Sequence, residues 1–119
     1  MKRILVVDDE PDLVEVLSTI LQSEGYEVFT AANGREGIER AQNLLPDLVI
    51  LDYTMPELNG AAVGEALRAG SLTYAIKILM SSSLSESSVR SRFTGYDAYA
   101  RKPYDMDATL SVIAGLVAY

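Results

Sequence analysis

Three short runs, Ile4–Val7, Leu48–Leu51 and Ile76–Met80, are apolar almost without interruption. Runs of that length with little alternation mark parallel strands covered on both faces. Glu27–Ala31 and Asp97–Arg101 mix polar with apolar positions, as edge strands do. Between these runs the period lengthens. Leu13, Leu17, Ile20 and Leu21 repeat at i, i+4, i+7 and i+8, and Ile38, Ala41 and Leu45 at i, i+3 and i+7, which predicts two amphipathic helices. Val63 with Leu67 and Val89 with Phe93 predict two shorter helices, and Leu110, Ile113 and Val117 a final one. Asp9 or Glu10 ahead of Pro11 starts the first helix, and Gly25 closes it. Asn33-Gly34 opens the second, and Pro46 ends it.

The pattern is five β-α units. Right-handed crossovers turn such a chain into an α/β open parallel sheet with helices on both faces. Three strong strands and two weak ones fit the doubly wound, flavodoxin-like (βα)5 order 2-1-3-4-5, with strands 2 and 5 at the edges. With 119 residues the chain is expected to form one domain, residues 1–119. The last helix is expected to run to Tyr119, with no output domain present. The functional crevice of this architecture lies at the carboxyl ends of the strands, around strands 1 and 3.

Composition narrows the chemistry. Cysteine and histidine are both absent, which excludes disulfides, thiolate nucleophiles, Ser-His-Asp triads and His-ligated metals. Seventeen acids against ten bases give a net charge of −7, a poor start for direct nucleic-acid binding. Residues 1–60 hold twelve acids and four bases, residues 61–119 five acids and six bases, so the acidic face belongs to the first half. No apolar run approaches the roughly 18 residues of a membrane helix, and two aspartates interrupt the start where a signal peptide needs apolar length. A cytoplasmic location without membrane contact is expected.

At the expected crevice, Asp8-Asp9 follow strand 1 and Asp52 follows strand 3. Parallel neighbours lie roughly 5 Å apart, so these carboxylates converge and repel. An all-oxygen set of this kind selects a hard divalent cation over zinc or copper. Taken singly, the same residues would serve as helix and loop caps; their coincidence favours a metal site. Lys102 leaves strand 5 at the same rim, and Ser81 closes strand 4 there. Three carboxylates, one lysine and one divalent cation sum to zero, a receptor suited to a phosphoryl group on one of the acids. Ser81 lies in a serine-rich stretch with Ser82, Ser83, Ser85, Ser87 and Ser88, most of which a cap and a flexible connection explain.

Ile4–Pro11, Asp47–Gly60 and Lys102-Pro103 together resemble the receiver domain of bacterial two-component response regulators, over about residues 2–117. The block around Asp52 with Met55-Pro56 and Gly60 is the most specific part. The resemblance implies that Asp52 is the phosphoacceptor, taking a phosphoryl group from a phosphohistidine on a sensor histidine kinase or phosphotransfer protein. It implies Mg²⁺ held by Asp8, Asp9, Asp52 and the Thr54 carbonyl, a phosphoryl contact by Lys102, a Ser81–Tyr99 switch pair, and a cis Lys102–Pro103 peptide. A carboxylate nucleophile needs positioning and charge neutralisation more than anything else in phosphoryl transfer. The chain is then not an enzyme on external substrates; it catalyses only its own phosphorylation and dephosphorylation.

Some positions depart from the family. Tyr96 stands where a small residue is usual, and the serine-rich fourth helix has low helical propensity. Residues 105–119 contain no Lys or Arg, and Val112 and Leu116 add a second apolar stripe to the last helix. That stripe is either scattered surface valine and leucine or a helix 4–strand 5–helix 5 face that meets a downstream protein, an output domain or a second copy. Regulators that dimerise through this face often use basic residues absent here. Three other functions compete: an aspartyl-phosphate phosphohydrolase, for which 119 residues leave little room; a degenerate receiver that binds partners unphosphorylated, against which the full residue set argues; and an FMN carrier, whose phosphate Asp8-Asp9-Glu10 would repel.

Overall fold

The computed structural model describes residues 1–118; Tyr119, assigned above to the last helical segment, lies outside them. Five strands alternate with five helices: β1 (Arg3–Val7), α1 (Pro11–Ser23), β2 (Glu27–Ala31), α2 (Gly34–Leu44), β3 (Leu48–Asp52), α3 (Gly60–Ala69), β4 (Lys77–Ser82), α4 (Glu86–Arg90), β5 (Ala98–Arg101) and α5 (Met106–Leu116). All pairings are parallel, and the sheet order is β2-β1-β3-β4-β5.

The apolar runs sort by parity onto the two faces of the sheet. Leu5, Val7, Val49, Leu51, Ile78 and Met80 face Val63, Leu67, Val89 and Phe93. Ile4, Val6, Leu48, Ile50 and Leu79 face Leu17, Leu21, Ile113 and Val117. Both faces are covered, which is why the three central strands show no polar alternation. β2 and β5, at the edges, keep most residues only half-buried.

Capping follows the expected chemistry, with one correction. Glu10 is the N-cap of α1 with Pro11 in its first turn, and the Asn33 side chain accepts from the Glu36 amide to cap α2. Leu45, expected on the buried stripe of α2, is exposed: the helix ends at Leu44, and Leu45 turns into the left-handed region at φ 47°. The proline behind it disfavours further helix. α4 is only five residues long, in keeping with its serine content. Tyr96 is accommodated on its flank, where its hydroxyl donates to Glu86 at 2.8 Å and accepts from Arg90 at 3.2 Å.

Two glycines test the packing from opposite sides. Gly60 starts α3 directly under the end of β3; a Cβ there would come within 2.7 Å of the Asp52 carbonyl oxygen and the Tyr53 Cα. Gly115, within α5, would meet nothing within 4 Å. Gly60→Ala is expected to cost about 2 kcal/mol or more by overpacking against backbone. Gly115→Ala is expected to add roughly 0.5–1 kcal/mol by restricting the unfolded chain. Urea unfolding of the two variants beside the parent checks both signs.

Candidate phosphoacceptor site

Register brings the site together. Val7 is opposite Leu51 and Asp52 opposite Ser81, so Asp8 and Asp52 emerge side by side from β1 and β3. Asp8 is fixed by its own backbone, whose amide donates to the Ala31 carbonyl at 3.1 Å. Its carboxylate then accepts from the Glu10 amide at 3.0 Å, which folds the loop back before α1 begins. Both Asp8 and Asp52 are buried, at 5% and 3% exposure.

Lys102 arrives from the opposite edge of the sheet. Its amide donates to the Ser82 carbonyl at 2.8 Å, and the peptide to Pro103 is cis. The ammonium lies 2.8 Å from Asp8 Oδ2, 2.9 Å from Glu10 Oε1 and 3.4 Å from Asp52 Oδ1. One cation thus faces three anions. Among the described residues, Asp8, Glu10 and Asp52 offer carboxylate oxygens that all lie within 4.8 Å of one another.

Electrostatics record the imbalance. Burial, and then the charge of Asp8, push the Asp52 carboxyl up to about 7 from 3.8, although Lys102 and the Thr54 amide pull the other way. For Lys102 burial alone would favour the neutral amine. Hydrogen bonds to Asp8 and Glu10, with the charges of Asp52 and Asp8, outweigh it and raise the group above its ordinary value.

The residues singled out from the sequence divide in three. Asp8, Asp52 and Lys102 meet directly. Asp9 and Thr54 line the cavity of about 600 Å³ above them, with Glu10, Leu13, Ser83, Pro103 and Tyr104. Asp9 is exposed and outside the cluster of three carboxylates, whereas Glu10, a helix cap by its place in the sequence, is inside it. Ser81 is fully buried, with Oγ 2.5 Å from the Tyr104 hydroxyl. Tyr99 lies half-buried on β5, where its hydroxyl donates to the Leu84 carbonyl at 2.6 Å. Sequence reasoning missed Glu10 and Tyr104. The available signals were two-residue spacings: Glu10 follows Asp8 by two positions, and Tyr104 follows Lys102 by two across a proline.

The model of the response regulator receiver domain matches residues 4–114. The chain belongs to that family. As a receiver domain of two-component response regulators it is a phosphorylation-based signalling module, and the degenerate reading is not favoured. It is 38% identical over 103 residues to the alkaline phosphatase synthesis transcriptional regulatory protein PhoP of Bacillus subtilis, which covers 87% of this chain and 43% of PhoP. Among solved structures it is similar to the response regulator TrrA of Thermotoga maritima, determined in complex with Mg²⁺–BeF, at 38% identity and TM-score 0.87, covering 98% of this chain and 99% of that one. It is also similar to the chemotaxis protein CheY4 of Vibrio cholerae, at 30% identity and TM-score 0.91, covering 98% of each chain. The chain spans about half the length of the curated relatives it matches. Among the described residues, no helix of this receiver domain is long and apolar enough to cross a membrane.

The raised Asp52 makes a signed prediction for the receiver domain without divalent cations. Its folded pKa, about 7, lies above the unfolded value, so the native state binds the extra proton and loses stability as pH rises from about 4 through 7. Asp52→Asn is expected to be the more stable protein at pH 8, by on the order of 2 kcal/mol, with the gap closing toward pH 4. Unfolding curves of both proteins in chelator across that range test it.

Proposed function

We propose that Asp52 accepts a phosphoryl group from the phosphohistidine of a sensor histidine kinase or phosphotransfer protein. The observation that carries this reading is a buried carboxylate at the floor of an open cavity, 3.4 Å from a lysine ammonium already engaged by two further acids. An Asp52 oxygen attacks phosphorus; the P–N bond to the donor imidazole breaks, and its electron pair stays with the ring nitrogen. Lys102 turns part of its charge from the carboxylates to the phosphoryl oxygens, where negative charge accumulates. Water attack on phosphorus later restores the Asp52 carboxylate and releases phosphate. This self-phosphorylation and self-dephosphorylation are the only catalysis assigned to the chain.

The donor set fits a hard divalent cation. It is all oxygen, and one ammonium leaves the acids of the cluster under-neutralised. Asp8, Asp52 and the Thr54 carbonyl, with Asp9 at the cavity wall, would hold Mg²⁺, which when bound supplies charge against the phosphoryl oxygens. Ser81 and Tyr99 are proposed to report the phosphorylated state to the α4–β5–α5 face. There Val112, 40% exposed, lines a shallow groove with Tyr99 and Arg101, whereas Leu116 is half-buried against the core. A downstream protein, an output domain or a second copy is the proposed reader of that face. The proposal treats residues 1–119 as one receiver unit in the cytoplasm and assigns it no nucleic-acid contact, given a net charge of −7.

Incubation with acetyl phosphate, with and without Mg²⁺, followed by intact mass, tests the reading. A Mg²⁺-dependent gain of one phosphoryl group is expected, absent in Asp52→Asn. Lys102→Ala is expected to slow the gain roughly hundredfold, the usual loss on removing one charge-stabilising donor. No gain in the parent protein under any condition would restore the unphosphorylated binding module.

A further inference from the structure

Ser81 and Asp52 are register partners on β4 and β3, yet of the two only Asp52 lines the cavity. Beside Ser81 the lining residues are Ser83, just past the end of β4, and Tyr104. The Tyr104 hydroxyl meets Ser81 Oγ at 2.5 Å. We propose that Tyr104 is a latch on Ser81, holding its hydroxyl away from Asp52 until the contact is broken. The inference rests on the phosphoacceptor reading above.

A serine hydroxyl has one proton and two lone pairs. Where Ser81 donates to Tyr104, its proton is already spent. Where Tyr104 donates, the Ser81 oxygen is still held within hydrogen-bond distance of the phenol. In the first case a hydrogen bond from Ser81 to a phosphoryl oxygen on Asp52 displaces the tyrosine outright; in the second, the latch requires that Oγ leave the phenol to reach that oxygen. The contact is shielded: Ser81 is fully buried, and burial also raises the Tyr104 phenol above its ordinary pKa. Once released, the Tyr104 phenol has the adjoining cavity, of about 600 Å³, to turn into.

The proposed movement is of the side chain alone. Pro103 precedes Tyr104, and Asp105 follows as the N-cap of α5, its carboxylate accepting from the Ala108 amide at 3.1 Å. Tyr104 is therefore a positioning residue that acts through Ser81. It is separate from Tyr99, whose hydroxyl is engaged by Leu84.

The test is a double-mutant cycle on the full chain: parent, Tyr104→Phe, Ser81→Ala and the double variant. Each is phosphorylated with acetyl phosphate and Mg²⁺, and the steady-state ratio of phosphorylated to free protein is read by intact mass. Phenylalanine keeps the ring and removes only the hydroxyl, and a thermal melt confirms that each variant is folded. Tyr104→Phe is expected to raise the ratio roughly three- to tenfold, the scale of one hydrogen bond released. In the Ser81→Ala background the same substitution is expected to change nothing, because the partner of the latch is gone. An unchanged or lower ratio in Tyr104→Phe overturns the latch, and so does an equal rise in the Ser81→Ala background. A parent protein that gains no phosphoryl group removes the phosphoacceptor reading and the latch with it. A parent that gains one while Tyr104→Phe matches it removes the latch alone.

Discussion

One ammonium group against three carboxylates is the constraint on which the rest of this structure depends. Lys102 cannot neutralise Asp8, Glu10 and Asp52 together, and two of those acids are almost fully buried. Under-neutralised buried charge is expensive, and part of the cost appears in the Asp52 carboxyl, whose pKa is pushed up to about 7. A sheet covered on both faces by the apolar sides of amphipathic helices supplies the stability that tolerates it. The same imbalance is what the proposed divalent cation and phosphoryl group would answer.

The ion cluster is also a long-range tie. Asp8 and Lys102 are 94 positions apart and come from β1 and the exit of the edge strand β5. Lys102 sits one residue beyond the end of that four-residue strand. Around that strand three tyrosines hold the neighbouring elements: Tyr104 to β4 through Ser81, Tyr99 to the β4–α4 loop through Leu84, and Tyr96 to α4 through Glu86 and Arg90. The rings of the same three tyrosines pack against the apolar clusters, so each couples a polar contact at its hydroxyl to the core beneath it.

The fold was legible because its signals are periodic and redundant. Buried parallel strands with no alternation, helices at a 3.6-residue period and the Pro11 and Asn33 punctuation all agree. Boundaries were less legible: Ile76 was read into β4, which begins at Lys77 and runs on to Ser82, and Leu45 was read as core although α2 stops one residue earlier. At the site, Asp8, Asp52 and Lys102 were readable because strand ends dictate their position. Glu10 and Tyr104 were not, since their roles depend on how a loop folds back and on which way a side chain turns. Nothing in a period reports either. Tyr96 stood out as unusual, but its partners Glu86 and Arg90 emerged only once α4 was in place.

The central claim is that the cluster is under-neutralised and built to take a divalent cation, and thermal unfolding with and without millimolar Mg²⁺ tests it most directly. The account predicts that Mg²⁺ raises the midpoint of the parent protein at pH 8, since a ligand bound only by the native state stabilises it in proportion to ln(1 + [Mg²⁺]/Kd). The rise should vanish in Asp8→Asn, which removes one of the buried acids. A parent midpoint indifferent to Mg²⁺ would contradict the account, as would an equal rise in the Asp8→Asn protein.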